Sequence, residues 1–419
     1  MNRKLKIGLI GLGTVGSGVV KVISQDDERF KDIEIVCAAV KNINKKRSVQ
    51  VPLTDDIYSV VQNPEIDVVV EAVGGVGVLD ALKCAVKNNK HIVTANKELL
   101  AKHGAELFDL AREYGVSILY EAAVAGGIPI IMPIKTSLKA NVFSSVAGIL
   151  NGTTNYILTK MEEDKISYSE CLKKAQDLGY AETDPTGDVE GYDAMYKIAI
   201  LSNIVFDKRI DINKIYREGI TNITAQDIEI ANELGYKIKL IAMAKRVNNS
   251  LDIRVHPMLV DNKLPISEIK NASNAVYLSG FPVDKVMFTG PGAGEFPTAS
   301  SVVGDILAIK AEIGKCETVL PMMRCNHNMY ADIVSIDDTQ NCYYLSVKAT
   351  NKPGVIGKLG TECAKFNINI SYIIQKGANP DSANIIVVTE KCFEKDINRM
   401  ISELEADGNA VVTNKIRVM

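Results

Sequence analysis

Apolar and polar positions fall into alternating blocks over the first third of the chain. Residues 4–10, KLKIGLI, form a short apolar run of the kind that makes a buried strand, and 11–22 read as a turn and the first helix. Further apolar runs at 34–40, 67–71, 91–94 and 117–121 predict strands, whereas 78–88 and 98–114 carry helical spacing. Strands alternating with helices through short links predict a parallel sheet covered on both faces. The style changes near Ile128-Pro129, where glycines and prolines cluster. From 137 to about 323, predicted helices (168–178, 192–205, 225–234) mix with strands such as 237–246, an α+β domain suited to receive a substrate. A polar segment at 337–340 reads as a linker. Beyond it the order is strand 342–350, helix 355–366, strands 368–375 and 383–389, helix 394–406 and strand 410–418, a ferredoxin-like βαββαβ arrangement. Asn351-Lys352-Pro353-Gly354 and Asn379-Pro380-Asp381 supply turns where that fold needs them.

The composition agrees with this division. At ~150 residues per domain, 419 residues make two or three domains. Apolar residues at 47% and charged residues at 24% exclude a disordered or fibrous chain. A net charge of -3 gives no general attraction for nucleic acid or anionic lipid, so neither is an expected partner. No stretch approaches the ~20 apolar residues of a membrane span. MNRKLKIGLIGLG runs into a strand without a cleavage site. Eight cysteines, none in a C-x-x-C pair, suit reduced thiols in the cytoplasm, and four histidines leave little for a His-built metal centre.

Gly11-Leu12-Gly13-Thr14-Val15-Gly16 follows a predicted strand and opens a helix, the context that makes G-x-G-x-x-G informative. The first glycine permits the tight turn, the second lets backbone approach a pyrophosphate, and the third lets helix and strand pack closely. The helix N-terminus then turns N–H groups toward the phosphates. The fold class is thus α/β: a Rossmann-type doubly wound sheet over 1–130, completed by a returning helix near 297–318. An α+β domain over 131–325 and a ferredoxin-like domain over 340–419 follow. NAD-preferring sites usually carry an acid after the second strand. Here that strand ends Ala39-Val40-Lys41, with Lys45, Lys46 and Arg47 beyond, and basic residues suit a 2′-phosphate. NADP is the expected cofactor, with NAD also usable.

Two regions hold candidate chemistry. Glu71-Ala72-Val73-Gly74-Gly75 and Thr94-Ala95-Asn96-Lys97 end the third and fourth predicted strands, and ligands of open α/β sheets sit beyond the carboxyl ends of strands. Lys97 is therefore placed near the cofactor, although most lysines are simply surface residues. The densest stretch, 179–197, holds five carboxylates and one lysine. Asp193 and Lys197 are four apart and share a helix face, with Glu190 one turn earlier. Taken alone, these describe an exposed ion pair worth ~0.3–0.5 kcal/mol, and Asp184, Pro185 and Asp188 describe a helix start.

Taken together, GLGTVG (11–16), TANKELLA (94–101), EAAVAGGIPII (121–131), GILNGTTNYIL (148–158) and GYAETDPTGDVEGYDAMYKIAIL (179–201) resemble the homoserine dehydrogenase family in order and spacing. NKPGV at 351–355 resembles the ACT regulatory domain that many members append. Thr183, where proline is common, and Lys41, where many members have arginine, depart from the pattern. The resemblance implies NAD(P)-dependent interconversion of L-homoserine and L-aspartate 4-semialdehyde in threonine, methionine and isoleucine biosynthesis. It implies Lys197, Asp193 and Lys97 as catalytic, and Glu182, Asp188, Gly152 and Thr153 as substrate-binding. Gly11, Gly13, Thr14, Val15, Gly16, Lys41, Gly74, Thr94, Lys97 and Gly292, the last in the GPGAG loop, would bind the cofactor. A structural monovalent cation such as sodium would sit at Glu121, Val124, Gly126 and Ile128. L-threonine would bind as feedback inhibitor at Asn351, Gly354 and Val355. The family's habit implies a homodimer or homotetramer, with the middle domain also dimerising. Without a kinase-sized N-terminal extension the chain reads as monofunctional.

Two other readings remain open at this level. One is another Rossmann dehydrogenase acting on a related amino-acid aldehyde or keto acid. The other is a catalytically inactive nucleotide or amino-acid sensor, against which stands the presence of Glu182, Asp193, Lys197 and Lys97 together.

Overall fold

The computed structural model describes residues 4–313, 325, 327–378, 380–406 and 408–419. Cys316, the 314–318 end of the expected returning helix, and Asn379 of the second expected turn lie outside the described residues. In chain order the first elements are β1 (Leu5–Ile10), α1 (Thr14–Ile23), β2 (Ile33–Ala39), β3 (Leu53–Thr54), α2 (Ile57–Val61), β4 (Val68–Glu71), α3 (Leu79–Lys87), β5 (His91–Thr94), α4 (Lys97–Tyr114) and β6 (Ile118–Leu119). Then come α5 (Ile131–Lys135), β7 (Val142–Ile149), α6 (Gly152–Asp164), α7 (Tyr168–Asp177), α8 (Thr186–Val189), α9 (Tyr192–Phe206), β8 (Tyr216–Arg217) and α10 (Ala225–Glu233). The remainder comprises β9 (Tyr236–Val247), β10 (Ser250–Asp261), β11 (Ser273–Phe281), β12 (Asp284–Pro291), α11 (Glu295–Glu312), β13 (Gln340–Thr350), α12 (Val355–Lys365), β14 (Ile370–Ala378), β15 (Ser382–Thr389), β16 (Cys392–Phe393), α13 (Glu394–Glu405) and β17 (Ala410–Val418). Among the described residues no helix is long and apolar enough to cross a membrane.

These elements form two compact units. The first unites Met1–Gly152, Asp193–Asn213 and Ser273–Ala331; the second unites Thr153–Tyr192, Lys214–Ala272 and Asp332–Met419.

In the first unit a six-stranded sheet runs β3-β2-β1-β4-β5-β6, every pairing parallel. This is the strand order of a dinucleotide-binding Rossmann sheet, in which the order of connection reverses between β1 and β4 while all strands stay parallel. Val68, Val69 and Val70 are fully buried, as a strand covered on both faces must be, which is why β4 reads as an unbroken apolar run. The returning helix is α11. It reaches α1, where Lys21 Nζ meets Glu295 Oε1 at 2.7 Å. The strand expected over 117–121 ends at Leu119, because the chain turns into a short 3-10 helix at Glu121–Ala123. β7, β11 and β12 form an antiparallel meander in the same unit.

In the second unit β9 and β10 form a long hairpin. The parallel pairing of Met258 with Arg417 and Leu259 with Val418 joins β10 to β17. From there the order β17-β13-β15-β14 with α12 and α13 is the expected ferredoxin-like βαββαβ module. Its core gathers Tyr343, Leu345, Val387, Leu359, Met400 and Leu404. The segment expected as a linker at 337–340 is not a loose tether. Thr339 and Asn341 are buried, and Arg254 of β10 donates to Asn341 Oδ1 at 2.9 Å and to Thr339 Oγ1 at 3.4 Å. A buried guanidinium needs acceptors, and this polar stretch supplies them.

A second buried arginine closes the module. Arg417 of β17 grips Glu394 of α13 through Nε at 2.8 Å and Nη2 at 2.5 Å, and donates from Nη1 to Glu218 at 2.9 Å. Burial alone would raise the Glu394 carboxyl, but the Arg417 hydrogen bonds and charge, with Lys415, bring it down to about 2.

Candidate active site

The glycine loop opens at the carboxyl end of β1. Gly11 has φ 95°, a conformation that disfavours any side chain. A Cβ on Gly16 would lie 2.3 Å from the Gly11 carbonyl oxygen, so only glycine lets α1 start this close to the strand. Gly13 caps α1 and faces open space, with nothing within 4 Å of where its Cβ would be. Gly13 and Thr14 are exposed and Val15 is half-buried. This cradle suits a pyrophosphate at the α1 N-terminus. After β2, Lys41, Lys45 and Lys46 are exposed, whereas Arg47 turns back into its own loop, donating to the carbonyls of Asn42 at 2.6 Å and Lys45 at 2.7 Å. The lysines, not Arg47, are the cations this loop offers to a phosphate.

At the ends of β4 and β5 the chain builds its next shelf. Gly74 and Gly75 are both left-handed, with φ 85° and 74°. Thr94 is fully buried, and Asn96 caps α4 by accepting the Leu99 N–H at 3.1 Å. Lys97 is thereby the first residue of that helix.

Lys97 points to Asp193, and so does Lys197. Lys97 Nζ lies 2.9 Å from Asp193 Oδ1, and Lys197 Nζ lies 2.7 Å from Oδ2. Asn151 Nδ2 donates to the same Oδ2 at 2.9 Å, and Lys197 also donates to the Leu150 carbonyl at 2.7 Å. The exposed ion pair that spacing alone describes is not what forms: Asp193 is 8% exposed and Lys197 7%. Burial would push the Asp193 carboxyl up, but the two ammonium groups, Lys197 and then Lys97, hold it well below the usual carboxylate range. Lys97 is the accessible member, its side chain 43% exposed. Glu190 does not share this face. Gly191, at φ 81°, separates it from α9, and Glu190 closes α8 instead.

Asp184 accepts the Thr186 N–H at 3.1 Å at the start of α8, as the helix-start reading requires. In the second unit, Glu182 is exposed and its carbonyl accepts from Gln176 at 3.1 Å. Asp188 lies within α8 and is half-buried. Thr153 donates to the Tyr180 carbonyl at 2.7 Å, following Gly152 at the start of α6. Arg217 stacks on the Tyr192 ring, 3.6 Å from its centroid, and bonds the Glu190 carbonyl.

Two further asparagines leave no mark in the sequence. Asn151 carries no charge and reaches Asp193 only through the fold. Asn274 on β11 is fully buried, and neither its Nδ2 nor its Oδ1 has a partner among the described residues. A Cβ on Gly292 would sit 2.1 Å from its side chain. A buried amide without partners is uncommon, and the GPGAG loop packs directly over this one.

Glu121 is buried, and it accepts the N–H groups of Ile130 (2.5 Å), Ile131 and Met132 (each 2.7 Å). Its carboxylate first of all caps α5. Burial raises its pKa, and those three donors oppose the rise. Three of about four acceptor positions are thus taken. Val124 and Ile128 are buried beside two consecutive left-handed residues, Ala125 and Gly126, and the Gly126 carbonyl accepts from Ser301 at 2.7 Å. In the ferredoxin-like module a cavity of about 360 Å³ is lined by Asn351, Gly354, Val355, Gln375, Ala383 and Ile385 among others. Gly354, at φ 94°, caps α12 there.

A Rossmann sheet with a glycine cradle, a lysine–aspartate–lysine cluster and a ferredoxin-like C-terminal module defines an oxidoreductase that uses a nicotinamide dinucleotide. Comparison with known proteins narrows this. Residues 11–121 match the homoserine dehydrogenase NAD-binding domain, 129–307 match homoserine dehydrogenase, and 343–409 match the ACT domain. The chain is 39% identical over 430 residues to a homoserine dehydrogenase of Synechocystis sp., covering 99% of each. It is 40% identical over 429 residues to one from Pseudomonas aeruginosa, again covering 99% of each. The crystal structure of a homoserine dehydrogenase from Thiobacillus denitrificans aligns with TM-score 0.94 at 38% identity, over 100% of this chain and 98% of that one. The chain belongs to the homoserine dehydrogenase family.

Proposed function

We propose that the chain interconverts L-homoserine and L-aspartate 4-semialdehyde, with NADP preferred and NAD usable, in threonine, methionine and isoleucine biosynthesis in the cytoplasm. The observation that carries the reading is the buried Asp193 carboxylate joined to both Lys97 and Lys197. Gly11, Gly13, Thr14, Val15 and Gly16 would hold the dinucleotide, with Lys41 at a 2′-phosphate, and when bound it would supply or accept the hydride. Gly74, Thr94, Lys97 and Gly292 would complete the cofactor site. In the reductive direction negative charge grows on the aldehyde oxygen. Lys197 stabilises it and gives the proton, and Lys97 supplies a second positive charge. Asp193 orients both lysines, and Asn151 and the Leu150 carbonyl fix that arrangement. Glu182, with Asp188, Gly152 and Thr153, takes the amino-acid end of the substrate, a carboxylate being the natural partner of its ammonium.

A monovalent cation such as sodium would take the remaining lone pair of Glu121 and the carbonyls of Val124, Gly126 and Ile128, as a structural ion. The module cavity would hold L-threonine against Asn351, Gly354 and Val355, where it acts as feedback inhibitor. The chain assembles as a homodimer or homotetramer.

The decisive test is homoserine-dependent reduction of NADP and of NAD at alkaline pH, with and without threonine. Lys197→Ala should lower kcat by about 100-fold or more, the usual scale for removing a general acid. Near-normal turnover in that variant refutes the assignment. Equal or tighter binding of NAD than NADP removes the cofactor preference.

A further inference from the structure

Glu71, the last residue of β4, is fully buried, and the mechanism above does not use it. Its Oε1 accepts the N–H of Val73 at 2.8 Å and of Gly74 at 3.2 Å, and takes a long bond from Asn96 Nδ2 at 3.5 Å. Its Oε2 accepts the Thr94 hydroxyl at 2.5 Å. Every one of these contacts is a donor. Burial pushes the Glu71 carboxyl up, while Thr94, Val73 and Asn96 oppose that rise by bonding the ionised form.

The donors come from the two stretches that border the cofactor candidates. Asn96 Nδ2 also donates to the Gly75 carbonyl at 2.7 Å, and the Asn96 N–H donates to Thr94 Oγ1 at 3.0 Å. One carboxylate therefore ties the left-handed glycine loop after β4 to the cap of α4, one residue before Lys97.

We propose that Glu71 is a positioning residue: as a carboxylate it holds the 73–75 loop and Asn96 in one arrangement, so that Lys97 meets Asp193 while the glycine loop receives the nicotinamide end of the cofactor. This rests on the reading of Lys97 as catalytic.

Glutamine is the informative substitution because it keeps the shape and cannot keep the bonds. With its NH2 toward Thr94, the threonine hydroxyl loses its acceptor. With its NH2 toward Val73 and Gly74, three donors meet a fourth. Glu71→Gln, confirmed as folded by circular dichroism and cooperative melting, should lower kcat by about 100-fold, the scale of a small misplacement of reacting groups. It should also raise the cofactor KM, while the homoserine KM changes less. Glu71→Asp, which keeps the charge but withdraws the carboxylate by one methylene, should shift the same two parameters in the same direction and covers the case in which the glutamine variant fails to fold. Normal kcat and cofactor KM in a folded variant, even with a lowered melting temperature, overturn the inference and make Glu71 structural only. Lys97→Ala run alongside separates the two readings. Its inactivity with a normal Glu71→Gln enzyme sinks only the role of Glu71, whereas normal turnover in Lys97→Ala sinks both.

Discussion

Asp193 carries a negative charge between two lysines, and most of what the cluster can do depends on that charge. Asp193→Asn keeps the volume and removes the charge, so neither lysine retains its anionic partner. The expected result is a folded protein whose kcat falls about 100-fold, read in the homoserine assay beside its melting curve. Asn151→Ala should fall less, because it removes one of several bonds to the same carboxylate. At this scale the sequence was partly legible. Asp193 and Lys197 stand four apart and declare a shared face, but spacing says nothing of burial, and burial turns a weak surface pair into a site. Lys97 was placed by its position after a strand. Asn151 and Asn274 could not be found this way. Neither has a charge or a periodic partner, and their neighbours lie 42 residues away at Asp193 and across a meander at Gly292.

The glycine loop is where a whole element depends on one missing side chain. Gly16→Ala would force a methyl group against the Gly11 carbonyl, and overpacking of that kind costs about 1–3 kcal/mol. Gly13→Ala meets nothing in the protein itself. The two should therefore separate: Gly16→Ala lowers the melting temperature of the cofactor-free protein, whereas Gly13→Ala leaves it unchanged and weakens dinucleotide binding in a fluorescence titration. Elements with a strong period were readable to within a few residues, as β9, α9 and α4 show. β3 was not, because two residues at a sheet edge carry no period. Glu190 shares the face of Asp193 and Lys197 only if helical spacing runs back past residue 192, and the left-handed Gly191 stops it there. The linker at 337–340 looked polar for a reason that sequence hides: a buried arginine 85 residues away needed its hydroxyl.

Within the second unit the C-terminal module shares its sheet with β10, and its Arg417, held by Glu394, also reaches Glu218 just after β8. Glu394 lies at about 2 in the folded protein, against about 4.3 for an ordinary glutamate. A depressed carboxyl stabilises the fold fully above its ordinary value and loses that contribution as pH falls toward its folded one. Melting temperature should therefore drop between about pH 4.5 and pH 2, and Glu394→Gln should flatten that part of the profile. Deleting everything after Ser335 would strip Arg254 of Asn341 and leave Glu218 without Arg417. We expect insoluble protein, so threonine sensitivity is better tested by Asn351→Ala, which should raise the threonine concentration needed for half-inhibition in a folded enzyme. The βαββαβ order was legible because each element has its own period. The bond between β10 and β17 was not, since two paired residues some 160 positions apart leave no local trace.

That parallel pairing also governs the order in which the chain can mature on the ribosome. Strand β10 emerges with β9 along one edge and only the short β8 against Arg254 and Val255 on the other, so Met258 and Leu259 wait for a strand that ends at Val418. An edge left partly open is a template for wrong partners while synthesis continues. The sheet of the second unit is therefore complete only once β17 has been translated.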